Sequence, residues 1–212
     1  MKFAAVFSIA IMPLSTAAFA QSIEGCDKQE LHIVQEAIRD AKQMTLDAAT
    51  TVGDTENYNR WFGSYTQANA EVVRANLKSV VGAMRSGALT VECKTAQSDG
   101  CEGGTYAWVY ADEAYLLHLC PNYFRLPPLT ALRPNARSFD FGTREGTIIH
   151  EVTHFLRVAN TEDHCYSRSA CTRMAAEDSA RAIDNADSYQ YFVEDVAHYA
   201  RALPPSKARA TD

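Results

Sequence analysis

The apolar positions in the first part of the chain repeat at the spacing of amphipathic helices. Between residues 29 and 50, and again between 58 and 84, they recur every three or four residues, which is the period of a helix that buries one face. A loop around Gly53 separates the two stretches, and Gly87 supplies a stop after the second. The pattern therefore predicts two long helices, one over 29–50 and one over 58–84.

The spacing changes to that of β-strands between residues 89 and 126. Apolar and polar residues alternate over 89–93, 105–110 and 115–120. The polar stretch 111–114 suits a turn between the last two of these strands. This region therefore predicts a small β-sheet.

Helical spacing returns in the last third of the chain. It predicts a helix over 143–159, a second over 170–183 and a third over 188–203, which Pro204 and Pro205 end. The expected fold class is α+β, mostly helical, with the small sheet beside the helix of 143–159.

The chain shows no repeat, no low-complexity segment and no clear linker. We therefore expect a single domain over 21–205, followed by a flexible tail over 206–212. Apolar residues make up 47% and charged residues 22% of the chain, which is usual for a globular protein.

The first twenty residues resemble a secretory signal peptide. Met1 and Lys2 give a positive start, 3–14 is an apolar stretch too short to span a bilayer, and 18–20 reads Ala-Phe-Ala, a typical cleavage site. We expect the mature chain to be exported, either secreted or periplasmic. No later stretch is long and apolar enough for a membrane span, so no membrane association is expected after cleavage.

The net charge is −6 at pH 7, and Lys and Arg form no run or stripe. A nucleic-acid partner is therefore not expected. An acidic surface favours cationic substrates, although only weakly. We expect a monomer.

Six cysteines follow the expected cleavage site, an even number that suits disulfides in an oxidising compartment. They allow fifteen pairings, and none forms a CxxC motif, so a cysteine zinc site is not expected. Proximity favours Cys165–Cys171, and the next candidates are Cys26–Cys93 and Cys101–Cys120.

The segment 150–154 has the sequence HEVTH, the strongest chemical signal in the chain. On a helix, residues four apart lie on one face, so His150 and His154 can each place an imidazole nitrogen about 2 Å from one zinc ion. Glu151 can take the proton of a water that attacks a peptide carbonyl. The motif therefore predicts one catalytic zinc ion. The residues of this helix expected to be buried are Ile148, Ile149, Val152, Phe155 and Leu156.

A catalytic zinc ion needs a third protein ligand. The sixth residue after His154, where the metzincins have a histidine, is Asn160. Three candidates remain: Glu177 on the following predicted helix, as in gluzincins, and Asp163 or His164 in the loop between. The residues alone leave this choice open.

HExxH followed by the T-x-D-x-x-Y sequence of 161–166 resembles the aspzincins, the zinc metalloendopeptidase family of deuterolysin and peptidyl-lysine metalloendopeptidase. The resemblance implies a zincin-like metallopeptidase fold, Asp163 as the third zinc ligand and Tyr166 as a second catalytic residue, which stabilises the oxyanion. It also implies the pairs Cys26–Cys93 and Cys101–Cys120. Other segments that resemble the family are Trp61-Phe62-Gly63, the β-rich segment ending at Cys120, Gly142-Thr143 and 185–189.

The loop departs from the family pattern at both ends. The family has glycine where this chain has Asn160 and Ser167. Asparagine tolerates the left-handed backbone conformation better than most residues, whereas serine does not. The predicted Cys165–Cys171 disulfide is a second way to hold this loop.

Asp187 matches a family aspartate in the pocket that receives the side chain just after the cut bond. A carboxylate there would attract Lys or Arg. The second acid that goes with strict lysine selection is replaced by Gln190, so we expect a basic preference and not strict selection. Alternatively, Asp187 is only the N-cap of a helix, with Gln190 at the third position.

The sequence therefore predicts an exported zinc endopeptidase acting on protein or peptide substrates, with strand 105–110 binding an extended substrate by edge pairing. Two alternatives stay open: a gluzincin-type peptidase that uses Glu177, and a non-catalytic, disulfide-stapled binding or toxin-like protein. The presence of Glu151 argues against the second, because a structural zinc site needs no base.

Overall fold

The structure, a computed structural model, describes residues 22–85, 89–132 and 142–202, the last four of these by their backbone alone. Several predicted features lie outside the described residues: the signal peptide at 1–20, Gly87, Pro204-Pro205 and the tail at 206–212. The limits of the predicted domain stay a prediction.

Seven α-helices and four short strands are formed by the described residues. The helices are α1 (Lys28–Thr51), α2 (Glu56–Phe62), α3 (Gln67–Arg85), α4 (Arg144–His154), α5 (Arg168–Glu177), α6 (Ser179–Ile183) and α7 (Ala186–Ala202). The strands are β1 (Ile23–Glu24), β2 (Thr90–Cys93), β3 (Ala107–Trp108) and β4 (Leu116–Leu119). Two 3₁₀ turns, Tyr123–Arg125 and Leu129–Ala131, follow β4.

Helix α1 forms as predicted and begins at a capping box. The side chain of Asp27 accepts from the amides of Gln29 and Glu30, and the Glu30 carboxylate accepts from the Asp27 amide in return. Its buried face, which includes Val34 and Ile38, packs against α3, α4 and α7. Helix α1 is thus the support on which the α4–α7 pair lies.

The predicted helix over 58–84 is two helices in the structure. Gly63 adopts φ +77, which ends α2, and the Thr66 hydroxyl then accepts from the Asn69 amide at the start of α3. Trp61 and Phe62, just before this glycine, are buried in the core. The prediction of one continuous helix over 58–84 was wrong, because Gly63, with its positive φ, ends the first helix.

The predicted helix over 170–183 is likewise divided, into α5 and α6. Asp178 leaves the helical conformation, and its side chain caps α6 by accepting from the Arg181 amide at 3.1 Å. The apolar period continues across Asp178, so periodicity alone did not separate the two helices.

The sheet has the strand order β1-β2-β4-β3. β3 and β4 pair antiparallel, as the predicted turn between them requires, whereas β1 and β4 each pair parallel to β2. Three strands correspond to predicted ones, although β3 is shorter than 105–110. β1 was not predicted, because two residues give no alternation to detect. β3 forms the edge of the sheet that lies beside α4.

Helix α4 carries the HEVTH sequence and is shorter than predicted. It ends at His154, because Phe155 turns out of the helix with ψ 131 and inserts into the core. Leu156 was predicted to be buried and is 57% exposed instead. Ile148, Ile149 and Val152 are fully buried, which fixes the rotation of α4 and turns its polar face towards the sheet edge.

Three disulfides are present among the described residues, and each was predicted. They join Cys26 to Cys93, Cys101 to Cys120 and Cys165 to Cys171. A mostly helical α+β architecture with a small sheet beside α4 is therefore confirmed. Among the described residues, none of the helices combines the length and the apolar character that crossing a membrane requires.

Candidate metal centre

Helix α4 and the loop after it bring the three predicted metal-binding side chains together. His150 and His154 lie one turn apart, and their Nε2 atoms are 3.2 Å from each other. Oδ1 of Asp163 lies 3.3 Å from Nε2 of His150 and 3.5 Å from Nε2 of His154. Ligand atoms that are each about 2 Å from one tetrahedral ion are about 3.3 Å apart. The three atoms therefore fit the coordination of a single zinc ion.

The outer ring nitrogens of both histidines have oxygen partners. Nδ1 of His150 faces Oδ1 of Asp187 at 2.8 Å, and Nδ1 of His154 faces the carbonyl oxygen of Thr161 at 2.7 Å. Because carbonyl and carboxylate oxygens can only accept, each Nδ1 carries a hydrogen, and Nε2 is the nitrogen that offers a lone pair when the imidazole is neutral. This tautomer is the one that zinc ligation at Nε2 requires.

Charge complementarity within the site is strong. Burial alone would lower the pKa of His150, but hydrogen bonds to Asp163 and Asp187 outweigh it and raise that pKa well above its usual value. Burial alone would raise the pKa of Asp163, but its hydrogen bond to His150 lowers it to about 2. The carboxyl group of Asp163 is thus ionised at any ordinary pH, as metal binding requires.

Glu151 follows the first histidine on α4 and is 7% exposed. Burial raises the pKa of its carboxyl group, and the neighbouring histidines His150 and His154 oppose that shift. Its side chain lines the same cleft as the three candidate ligands. A buried carboxylate with a raised pKa beside a metal site is suited to accept and return a proton.

The loop 160–167 carries Asp163 and is fixed by backbone pairing to the α6–α7 junction. The Glu162 amide donates to the Asp184 carbonyl at 2.9 Å, and the Glu162 carbonyl accepts from the Ala186 amide at 3.1 Å. These two bonds hold the residue directly before Asp163. The position of the third candidate ligand therefore depends on the start of α7.

Tyr166 lies in the same loop and is 63% exposed at the cleft. Partial burial, and then the interaction of its hydroxyl with the Asp163 carboxylate, raise the pKa of Tyr166 above its usual value. The phenol therefore keeps its proton at neutral pH and can donate it in a hydrogen bond. Its contact with Asp163 shows that the hydroxyl reaches the candidate metal site.

The cleft has a volume of about 1060 Å³ and runs between the sheet edge, α4 and the loop. β3 and its flanks form one wall, from Gly104 to Val109. Among the described residues that line the cleft there is no Lys or Arg. Its lining carboxylates are Glu151, Glu162, Asp163 and Asp187.

Asp187 lines the cleft, but both of its carboxylate oxygens are already engaged. Oδ1 meets Nδ1 of His150, and Oδ2 accepts from the Ser167 amide at 3.2 Å. The N-cap interpretation is wrong, because α7 begins at Ala186 and Asp187 lies in its first turn. No local pattern could predict the contact of Asp187 with His150, since 37 positions separate the two residues.

The other two candidate ligands do not join this group. Glu177 is an exposed residue at the end of α5 and is outside the described metal-binding group of His150, His154 and Asp163. His164 lines the cleft, but its Nε2 lies 2.8 Å from Oδ2 of Asp184.

Arg168 and Glu194 were not predicted, and they join the loop to the start of α4. Arg168 contacts the Glu194 carboxylate at 2.8 Å and that of Asp195 at 2.6 Å. Oε1 of Glu194 in turn accepts from the amide and the hydroxyl of Thr143, the N-cap of α4. Only the tertiary structure reveals this connection, because charged residues in a helical pattern are usually solvated.

Two imidazoles one turn apart, an aspartate from the following loop and a buried glutamate define a zinc peptidase type of site. The aspzincin family model, described as lysine-specific metallo-endopeptidase, matches residues 47–194. The chain therefore belongs to the aspzincin family of zinc metalloendopeptidases, as its sequence predicted.

Individual relatives agree with this assignment. An "Extracellular protease" of Aeromonas hydrophila is 30% identical over 139 residues, 66% of this chain and 36% of that protein. A "Peptidyl-Lys metalloendopeptidase" of Pleurotus ostreatus is 31% identical over 140 residues, 66% of this chain and 74% of that protein. Two further proteins named "Peptidyl-Lys metalloendopeptidase" also match. The match covers 35% of the protein from Armillaria mellea and 45% of the protein from Grifola frondosa. This chain therefore spans less than half the length of three of these four relatives.

The fold agrees as well. A solved zinc peptidase from Grifola frondosa superimposes with a TM-score of 0.68 at 24% identity, covering 80% of this chain and 97% of that one. The predicted zincin-like fold is thereby confirmed.

Proposed function

We propose that this protein is a zinc-dependent endopeptidase that hydrolyses peptide bonds in protein or peptide substrates. The observation that carries the proposal is the convergence of His150, His154 and Asp163 on one point, with Glu151 buried beside it. A purely structural zinc site has no need of a carboxylate base at an open cleft.

Each residue of the candidate site has its own role in the proposed hydrolysis. His150, His154 and Asp163 would hold the zinc ion, which when bound acidifies water and polarises the scissile carbonyl. Glu151 accepts the proton of the attacking water and returns it to the leaving amine. Tyr166, from the loop that carries Asp163, donates a hydrogen bond to the oxyanion as its charge develops.

The edge strand β3 is suited to bind the substrate backbone. It pairs with β4 on one side, and within the described sheet its other side has no strand partner. An extended peptide can add to such an edge through main-chain hydrogen bonds. The peptide would then lie along the cleft between β3 and the HEVTH face of α4.

We infer a preference for Lys or Arg just after the cut. The cleft is lined by carboxylates, and Asp187 can still accept a further hydrogen bond because a carboxylate offers about four acceptor positions. Gln190, which contributes no charge, lies one turn further along α7. These features support a preference for a basic residue and argue against strict lysine selection.

We also propose that the enzyme is exported, secreted or periplasmic, and acts as a monomer. The signal-like sequence at 1–20 and the three disulfides support export. One relative bears the name "Extracellular protease".

The test is digestion of histone by the chain from residue 21 onward, with and without a chelator, and with the Glu151→Gln variant as control. We expect cleavage that the chelator and the substitution both abolish, with Lys or Arg enriched after the cut when fragments are sequenced by mass spectrometry. Absence of cleavage by protein with a full complement of zinc would favour the binding-protein alternative. Cleavage without basic enrichment would refute only the inferred preference.

A further inference from the structure

Ser167 closes the candidate-ligand loop in a backbone conformation that serine rarely adopts. Its φ is +75 and its ψ is 148, a region occupied almost only by glycine. A residue with a Cβ stays in such a conformation only where the surrounding structure imposes it. Some feature of the fold must therefore hold this backbone in place.

The Cys165–Cys171 disulfide spans Ser167 and is the covalent part of that constraint. Cys171 is fully buried on α5, and its amide donates to the Ser167 carbonyl at 3.0 Å. On the other side, the Ser167 amide reaches Oδ2 of Asp187. The disulfide thus fixes one end of the loop to the core while Ser167 contacts the carboxylate that orients His150.

Tyr166 lies between the disulfide and Ser167. With 63% of its surface exposed, its ring has little packing of its own to fix it. Apart from the contact of its hydroxyl with Asp163, the position of the Tyr166 side chain therefore depends on the backbone on either side. Its neighbours in the chain are the half-cystine Cys165 and the strained Ser167.

We propose that the Cys165–Cys171 disulfide is a positioning device for Tyr166. By holding Ser167 in its left-handed conformation, it keeps the Tyr166 hydroxyl at the place where the oxyanion forms. This proposal rests on the proposed role of Tyr166 in peptide hydrolysis.

Two observations argue for a local role over a general stabilising one. The disulfide closes a span of only 6 residues, whereas Cys26–Cys93 closes 67. A shorter span removes less entropy from the unfolded chain, so this disulfide should stabilise the fold least. In addition, Asp163 is placed by the backbone pairing of Glu162, which precedes the disulfide. Removing the disulfide should therefore disturb Tyr166 and leave the metal ligands in place.

The experiment compares the Cys165→Ser/Cys171→Ser variant with unaltered enzyme. We expect kcat to fall by about 10- to 100-fold, towards the effect of losing one oxyanion donor, while KM changes by less than about 2-fold. Zinc content should stay at that of the unaltered enzyme. The control, Cys26→Ser/Cys93→Ser, should show the opposite pattern: a larger fall in Tm, with kcat unchanged at a temperature where it is folded.

A second set of variants tests whether the disulfide acts through Tyr166. In a Tyr166→Phe background, removing the disulfide should lower kcat by less than about 3-fold, since the group that it positions is already absent. Adding Ser167→Gly to the variant without the disulfide should recover much of kcat, because glycine adopts the required φ without strain.

A third readout does not depend on activity. In metal-free protein, amide hydrogen exchange at Ser167 should be faster without the Cys165–Cys171 disulfide and unchanged without Cys26–Cys93. Failure of unaltered protein to cleave any substrate would contradict the proposed function, while the exchange measurement would still decide whether the disulfide holds Ser167.

Three results would overturn the proposal: unchanged kcat and unchanged exchange without the disulfide, an equal loss of kcat in the Tyr166→Phe background, or failure of the variant to fold. The last would assign the disulfide a global role in stability.

Discussion

Oδ1 of Asp187 lies 2.8 Å from Nδ1 of His150, so the first turn of α7 orients a side chain on the HEVTH face of α4. The same carboxylate accepts from the Ser167 amide, at the end of the loop that carries Asp163 and Tyr166. One aspartate thus joins the two chain segments that make the site, and its expected role in binding substrate stays a prediction.

Replacing Asp187 by Asn should weaken zinc binding. The amide oxygen can still accept from His150, but the negative charge that makes the imidazole a stronger ligand is lost. We expect zinc affinity to fall by about 10- to 100-fold, measured by competition with a chromogenic chelator. An unchanged zinc affinity with a lost preference for basic substrates would show that Asp187 serves the substrate alone.

Tyr166→Phe should lower kcat by about 100-fold and leave KM nearly unchanged, because the hydroxyl contributes only as charge develops on the oxyanion. Steady-state kinetics on a quenched fluorescent peptide gives both constants. Tyr110→Phe is the matched control, since Tyr110 is another exposed tyrosine in the β3 region and does not line the cleft. Equal losses in the two variants would remove Tyr166 from the proposed mechanism.

Gly63→Ala should destabilise the fold by at least about 2 kcal/mol. Gly63 has φ +77, and a Cβ there would meet the carbonyl oxygen of Ala175 and the hydroxyl of Ser179. Gly82→Ala is the control: nothing lies near its added Cβ on α3, so it should stabilise by about 0.5–1 kcal/mol. Urea denaturation of both variants measures these changes, and similar values for the two would contradict the packing at α2.

The buried carboxyl group of Glu194 should make stability depend on pH. Burial raises the pKa of Glu194 to about 7. The charge of Arg168 and hydrogen bonds from Thr143 and Gln190 oppose this shift. The neighbouring acid on α7, Asp195, also contacts Arg168. Because the folded state keeps a proton that the unfolded state releases above its ordinary pKa, stability should fall as pH rises from about 4.5 towards 7.

Glu194→Gln removes this titration, so its free energy of unfolding should depend less steeply on pH in that window than that of unaltered protein. Urea denaturation at several pH values, with the same metal content in both proteins, gives the comparison. Parallel pH profiles would show that Glu194 does not titrate there.

The sequence predicted most of the fold wherever periodicity is strong. Helix α1 and strands β2 and β4 lie close to their predicted positions. The errors occur where a single residue breaks a pattern that continues on both sides, as Gly63 does between α2 and α3 and Asp178 between α5 and α6. Hydrophobic spacing indicates which face is buried. A break in the helix can leave that spacing unchanged, so the spacing does not predict the break.

In the candidate site, too, local spacing predicts some contacts and cannot predict others. The HEVTH spacing places His150 and His154 on one helical face, so their proximity follows from local geometry. Asp163 was selected by the family resemblance, because spacing left it open against Glu177 and His164. The contacts of Asp187 and of Arg168 could not be predicted, since they join residues distant in the chain and depend on how α7 packs against α4.

The most direct test of the account is the zinc content per chain, measured by mass spectrometry of native protein for Asp163→Ala, Glu177→Ala and Glu151→Gln. We expect one zinc ion in Glu177→Ala, which stays active, and one in Glu151→Gln, which is inactive because it lacks only the base. Asp163→Ala should lose zinc at concentrations that saturate the others. Full zinc and activity in Asp163→Ala, with both lost in Glu177→Ala, would contradict it.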